Sequence, residues 1–207
     1  AAERALTRQL DEIERNKARY GTYPRATYAD YLEKRADDAE LLAESPYLQG
    51  LAVVLEARTG KVLAMVGGRD FNDNKYNRAV QAVRQAGSTF KPIVYAAGLR
   101  AGHTWADIVE DTPISMEMTP GEPPWEPQNY DNRFAGPMSL KEAFYESRNI
   151  PAIRLGDDIG PQAVVGEAAR FGISTPVPPY PSTYIGAASV IPIEMIAAFS
   201  PFATLGT

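Results

Sequence analysis

Leu6, Leu10, Ile13 and Lys17 recur at helical spacing among charged neighbours, so residues 1–20 predict an amphipathic helix that Gly21 can stop. A second helix is predicted over 28–44. Thr27 and Asp30 stand three apart at its start, Ser45-Pro46 closes it, and its charges read as a solvated face. The period then changes. LAVVLEARTGKVLAMVGG (51–68) holds two apolar, β-branched runs joined by RTGK, which predicts a β-hairpin on a buried sheet. In RAVQAVRQAGSTFKPIVYAAGL (78–99) Gly87 breaks the preceding segment, and Pro92 is tolerated only near a first turn. A helix should therefore begin close to Ser88 and bury Phe90, Ile93, Val94 and Ala97.

A long Pro/Gly-rich connection, 103–138, follows; ordered loops of this length usually serve function. Ser139 and Glu142 form an S-x-x-E pattern, so a short helix is expected from Leu140 to about Ser147, ending before the N-I-P at 149–151. Pro161 and Gly172 bracket another helix carrying Val164, Val165, Ala168 and Phe171, and Pro192 opens a last one through Ile196 and Phe199. The layout is mixed α+β, a sheet flanked by helices, with one hairpin visible. A lone two-stranded hairpin is marginal in water, so further strands are expected to complete it.

Composition narrows the chemistry. The chain has 207 residues and 44% hydrophobic content, enough for a real core. With 21 basic and 26 acidic residues and no basic block, a nucleic-acid partner is not expected. There is no cysteine and a single histidine, His103, which excludes disulfides, thiol catalysis and a His-rich metal site. No cofactor is called for. Asp157-Asp158 reads as a solvated pair, and His103 as a surface or helix-end residue. No stretch approaches the roughly 18 apolar residues of a membrane span, and the N-terminus lacks a signal-peptide pattern; any anchor or export signal is expected outside this chain.

Ser88 and Lys91 are the candidate reactive pair. Residues three apart on a helix share a face, so the lysine amine lies beside the serine hydroxyl. A serine hydroxyl is a poor nucleophile, but an adjacent lysine kept neutral by burial can take its proton. The helix N-terminus adds N–H groups that favour negative charge on a substrate oxygen. Alone, S-x-x-K is more readily a helix cap followed by a solvated lysine, because the tetrapeptide often arises by accident. Ser147-Arg148-Asn149 supplies company: a second serine and an amide at the end of a short helix, able to enter the same cleft. Its plain alternative is a helix C-terminus with Asn149 in a turn geometry.

These residues carry a resemblance. RTGKVLAMVGGRDF, NRAVQAVRQAGSTFKPIVYAAGL, PQNYDNRFAGPMSLKEAFYESRNIPAIRL and IGAASVIPIEMIAAFSPFATLGT occur in the order and spacing of the transpeptidase domain of class A penicillin-binding proteins. The resemblance covers 48–207, with 1–45 as leading helices, so 1–207 reads as the N-terminal portion of one such domain. It implies a penicillin-binding-protein transpeptidase or serine β-lactamase-like fold. It implies Ser88 as the acylated nucleophile, Lys91 as its base, Ser147 as a proton relay to the leaving amine, and Asn149 as a contact to substrate and to Lys91. Its partners would be peptidoglycan stem peptides, whose D-Ala-D-Ala bond is attacked, and β-lactam antibiotics. The parent protein would be membrane-anchored, face the periplasm or cell wall, and carry a glycosyltransferase domain.

Arg148 occupies a position that varies in that family. More consequentially, no K-T-G or K-S-G triplet occurs in the chain. The resemblance implies that a C-terminal segment or a second chain supplies that strand, with an oxyanion donor and carboxylate recognition, and that activity requires it. A β-lactamase would need a carboxylate on a later loop, and FGISTPVPPYPSTYIG (171–186) has none. A non-turnover penicillin-binding sensor, or a D,D-carboxypeptidase, remains an alternative. In the loop PPWEPQNYDNRF, Gln128, Asn129 and Tyr130 are candidates for lining the substrate groove. Tyr130 serves equally as an anchor, and anchoring is the favoured role for Trp125.

Overall fold

The computed structural model describes residues 1–21, 26–35 and 44–206. In chain order they form α1 (Ala2–Arg15), α2 (Lys17–Tyr20), α3 (Tyr28–Lys34), β1 (Ala52–Leu55), β2 (Val62–Val66), α4 (Arg78–Gln81), β3 (Arg84–Gln85), α5 (Lys91–Ala101), β4 (Ile108–Asp111), β5 (Gly136–Ser139), α6 (Leu140–Tyr145), α7 (Asn149–Ile159), α8 (Pro161–Arg170), β6 (Ser189–Val190), α9 (Pro192–Ala198) and α10 (Ser200–Thr204). They group into two compact units, one of residues 1–83 with 191–207, the other of residues 84–190.

In the first unit the opening helix breaks at Asn16, whose side chain accepts from the Arg19 N–H and starts α2, so the predicted single helix is two. The Thr27–Asp30 capping box forms with both of its hydrogen bonds. Its helix ends at Lys34, because Arg35 is extended, so it is shorter than the predicted 28–44; residues 36–43 lie outside the described residues. Its charges are not all solvated: Arg35 pairs with the buried carboxylate of Asp73, which also accepts from the Tyr47 hydroxyl at 3.1 Å. The hairpin pairs β1 with β2 antiparallel, Ala52 opposite Val66, with an irregularity at Val54/Leu55. It is less buried than its sequence predicts. Although α1 and α9 pack on it, Val54, Val62, Leu63 and Met65 stay exposed.

The second unit is built on α5. Phe90, Ile93, Val94 and Ala97 are all buried, as the stripe predicts, and Tyr95 joins Leu140, Ala152 and Leu155 in one apolar cluster. Helix α7 lies close against α5: a Cβ on Gly98 would sit 2.8 Å from the Leu155 side chain. The sequence did not reveal α7, because N-I-P reads as a helix stop. Pro151 is the third residue of α7, inside the first turn, where no intrahelical N–H bond is lost. The long connection is also more regular than expected, since β4 and β5 pair antiparallel across it, Ile108 opposite Ser139 and Asp111 opposite Gly136. Trp125 forms an isolated backbone bridge with Met116, in keeping with an anchoring role.

Candidate active site

Gly87–Phe90 form a 3₁₀ turn that runs straight into α5, and the Lys91 N–H donates to the Ser88 carbonyl. Side chains three apart eclipse in 3₁₀ geometry, so the turn aligns Ser88 with Lys91. Ser88 is exposed, while Lys91 is only 3% exposed. Backbone pairing holds the turn from behind. Arg84 and Gln85 ladder with Val190 and Ser189, the Ala86 N–H donates to the Ala188 carbonyl at 3.1 Å, and the Gly87 N–H donates to the Gly186 carbonyl at 2.9 Å.

The Lys91 amine reaches the α6–α7 junction. Nζ donates to the Ser147 carbonyl at 2.5 Å and to Asn149 Oδ1 at 2.7 Å, and lies 3.3 Å from Ser147 Oγ. Three of the four residues named from sequence, Lys91, Ser147 and Asn149, therefore meet at one locus, while Ser88 stands three positions before Lys91 on the adjoining turn. Burial pushes the Lys91 amine down to about 8, and the positive charge of Arg148 adds to the effect.

The junction has a defined local cause. The Ser147 N–H donates to Phe144 and the Arg148 N–H to Ala143, a helix-ending motif that requires a left-handed residue at 147. Ser147 takes it, at φ 55°. The turn geometry thus belongs to Ser147, whereas Asn149 begins α7. A left-handed non-glycine residue costs about 1–2 kcal/mol, and such strain gathers at functional sites.

Gln128, Asn129 and Tyr130 separate in role. Tyr130 is fully exposed and, with Asp131, Glu146, Ser147 and Arg148, borders a cavity of about 180 Å³. Gln128 is exposed, and its backbone carbonyl accepts from Asn149 Nδ2 at 2.8 Å. Asn129 also borders the cavity, yet it is 3% exposed and its amide is spent internally. Its Oδ1 accepts from the Asn149 and Ile150 N–H groups at 2.8 and 3.2 Å, and its Nδ2 donates to Asp111 and to the Arg133 carbonyl. A groove-lining role is replaced by that of a helix cap delivered from a loop. Arg148, passed over in the sequence, is held by Asp111, Asp131 and the Arg133 carbonyl. His103 sits at the end of α5, between Asp107 and Asp158 at 3.1 and 3.0 Å. Among the described residues no group of acidic or histidine side chains is arranged to hold a metal.

A family model described as the penicillin-binding protein transpeptidase domain matches residues 50–207. Penicillin-binding protein 1A of Neisseria meningitidis is 42% identical over 170 residues, covering 80% of this chain and 21% of that protein. The Pseudomonas aeruginosa protein of the same name is 36% identical over 176 residues, covering 84% and 21%. The crystal structure of penicillin-binding protein 1A from Haemophilus influenzae superposes with a TM-score of 0.72 at 36% identity, over 78% of this chain and 24% of that one. The penicillin G acyl-enzyme complex of penicillin-binding protein A from M. tuberculosis gives 0.65 at 25% identity, over 76% and 46%. The chain thus spans about a fifth of the length of these curated relatives. With a buried lysine linking S-x-x-K to S-x-N and a family match over most of its length, the chain belongs to the penicillin-binding protein transpeptidase domain family.

Proposed function

We propose that this site carries out D,D-transpeptidation of peptidoglycan through a Ser88 acyl-enzyme. The observation that carries the reading is the environment of Lys91. A neutral amine has two N–H donors and one lone pair. With the Ser147 carbonyl and Asn149 Oδ1 taking the two donors, the third contact, Ser147 Oγ at 3.3 Å, faces the lone pair, so the amine is placed to exchange a proton with a hydroxyl. Ser88 Oγ attacks the carbonyl carbon of the penultimate D-Ala of a stem peptide and gives its proton to Lys91. The tetrahedral intermediate collapses as the C–N bond breaks, and the leaving D-Ala amine takes a proton relayed by Ser147. An amine from a second stem then attacks the ester, Ser88 leaves and recovers a proton, and a new amide cross-link remains. Asn149 holds Lys91 and presents its amide toward the substrate.

β-Lactams, being cyclic amides, acylate Ser88 by the first half of the same sequence. A K-T-G strand, absent from this sequence, supplies the second oxyanion donor and the carboxylate contact, whether in the same polypeptide or from another chain. A membrane anchor, a glycosyltransferase domain and an extracytoplasmic location go with this reading; among the described residues no helix is long and apolar enough to cross a membrane. Intact-mass spectrometry of the intact protein with penicillin tests it. One adduct per protein is expected in the wild type and none in Ser88→Ala; an adduct that survives the substitution would falsify the assignment.

A further inference from the structure

We propose that Asp111, at the end of β4, is the positioning residue of this site; the inference rests on the acyl-transfer reading above. Asp111 is completely buried, and both of its oxygens are committed. Oδ1 accepts from Asn129 Nδ2 at 2.7 Å, while Oδ2 accepts from Arg148 Nε at 2.9 Å and from the Ala135 N–H at 3.0 Å, with Arg148 Nη2 at 2.7 Å. No substrate atom could reach it. Its two partners flank the acceptors of Lys91.

The first arm runs through Asn129. Helix α7 has no cap of its own, because the Arg148 side chain makes no cap bond. Its first two N–H groups are satisfied by Asn129 Oδ1 instead, and Asn149, whose side chain takes the Lys91 amine, is the first residue of α7. The amide can do this only with its NH₂ turned toward acceptors, and the Asp111 carboxylate is one of the two provided. The second arm runs through Arg148, the residue after Ser147. Asp111 fixes one side of the guanidinium while Asp131 at 3.1 Å and the Arg133 carbonyl at 2.5 Å fix the other. That anchors the far side of the strained turn whose carbonyl accepts from Lys91. One buried carboxylate thus sets both acceptors that orient the lysine lone pair. A fully satisfied buried network of this kind transmits the loss of any member to the rest.

The test uses the intact protein and three readouts: β-lactam acylation rate, thermal melting, and hydrogen exchange at the Asn149 and Ile150 amides. Asp111→Asn turns an amide toward donors on both sides. It is expected to slow acylation by about 10- to 100-fold, the effect of misplacing a reacting group by roughly 1 Å, and to deprotect both amides. In an Asn149→Ala background the same substitution should slow acylation by a smaller factor than in the wild type, because the arm through Asn149 is already gone and only the arm through Arg148 and the Ser147 carbonyl remains. Should Asp111→Asn fail to fold, Arg148→Lys provides the second measurement. An ammonium cannot span Asp111, Asp131 and the Arg133 carbonyl together, so slowed acylation with a cooperative melt is expected. Wild-type acylation rates in the folded variants, or equal losses with and without Asn149, would overturn the proposal. The readouts also separate it from the functional reading. Deprotection at 149 and 150 without any Ser88 adduct in the wild type counts against the reaction and for the positioning; a normal adduct with unchanged exchange does the reverse.

Discussion

Gly186→Ala strikes the turn that carries Ser88, the proposed nucleophile, without touching its side chain. Gly186 closes the 3₁₀ turn at 181–185 with φ 82°, and a Cβ added there would lie 1.8 Å from the Gly87 carbonyl oxygen, 2.4 Å from its carbon and 2.6 Å from its nitrogen. All three neighbours are backbone, so no side chain can swing aside. Restoring ordinary contact moves the Gly87 peptide by about 1 Å, which a reacting group next to it translates into roughly 100-fold in rate. The left-handed alanine costs about 1 kcal/mol. Losing the 2.9 Å bond from the Gly87 N–H to the Gly186 carbonyl costs about another. The assay is the rate of fluorescent penicillin acylation, beside a thermal melt. Gly172→Ala is the control, since its φ of 85° carries the same conformational cost while nothing lies within 4 Å of the added Cβ. It should lose about 1 kcal/mol and no rate. If Gly186→Ala acylates like the wild type, or if both variants slow equally, the serine turn does not owe its placement to this backbone contact.

Three further outcomes follow from the geometry of the site. Because Lys91 is held at about 8 against an ordinary 10.5, acylation should climb as pH rises through about 8 and the amine loses its proton; a rate flat across that range would remove Lys91 as the base. The unfolded chain binds the extra proton between those values, so stability should rise with pH over that window by about 3 kcal/mol, and Lys91→Met should flatten this rise in a melt series. Ser147→Gly should melt higher than Ser147→Ala by about 1 kcal/mol, since only glycine accepts the left-handed backbone freely, while both lose acylation by about 100-fold; equal melting would mean the φ of 55° carries no cost.

What the sequence disclosed was local. The α5 stripe, the Thr27–Asp30 box, the Ser139 cap and the 51–68 hairpin depend on residues a few positions apart, and each is found where its pattern puts it. The four-residue core of the site was legible as two short motifs, but their link was not: Lys91 meets the 147–149 segment across 56 and 58 positions. Asp111 carried no signal at all, being one aspartate among many in a chain of 26 acidic residues. Its meaning lies in zero exposure and in which donors reach it. Strands β3 and β6, two residues each, were beyond any periodicity. For Asn129 an amide in a loop beside the candidate residues suggested contact with substrate; burial decided otherwise, since an amide with four satisfied internal partners has no capacity left to recognise a ligand.

The borrowed cap on α7 bears on how the site is assembled. The serine turn before α5 is held by the Gly186 and Ala188 carbonyls from far along the chain, and the first turn of α7 is completed by a side chain 20 positions upstream, on a loop whose own closure waits for β4 to find β5. Closing such a loop costs entropy before any contact repays it, so the long-range part of a fold forms after the local part. Ser88, the proposed nucleophile, and the groups that orient Lys91 therefore both wait on long-range contacts. On the proposed reading a chain still folding holds neither half of the reactive pair in place, and reactivity arrives with the last long-range contact.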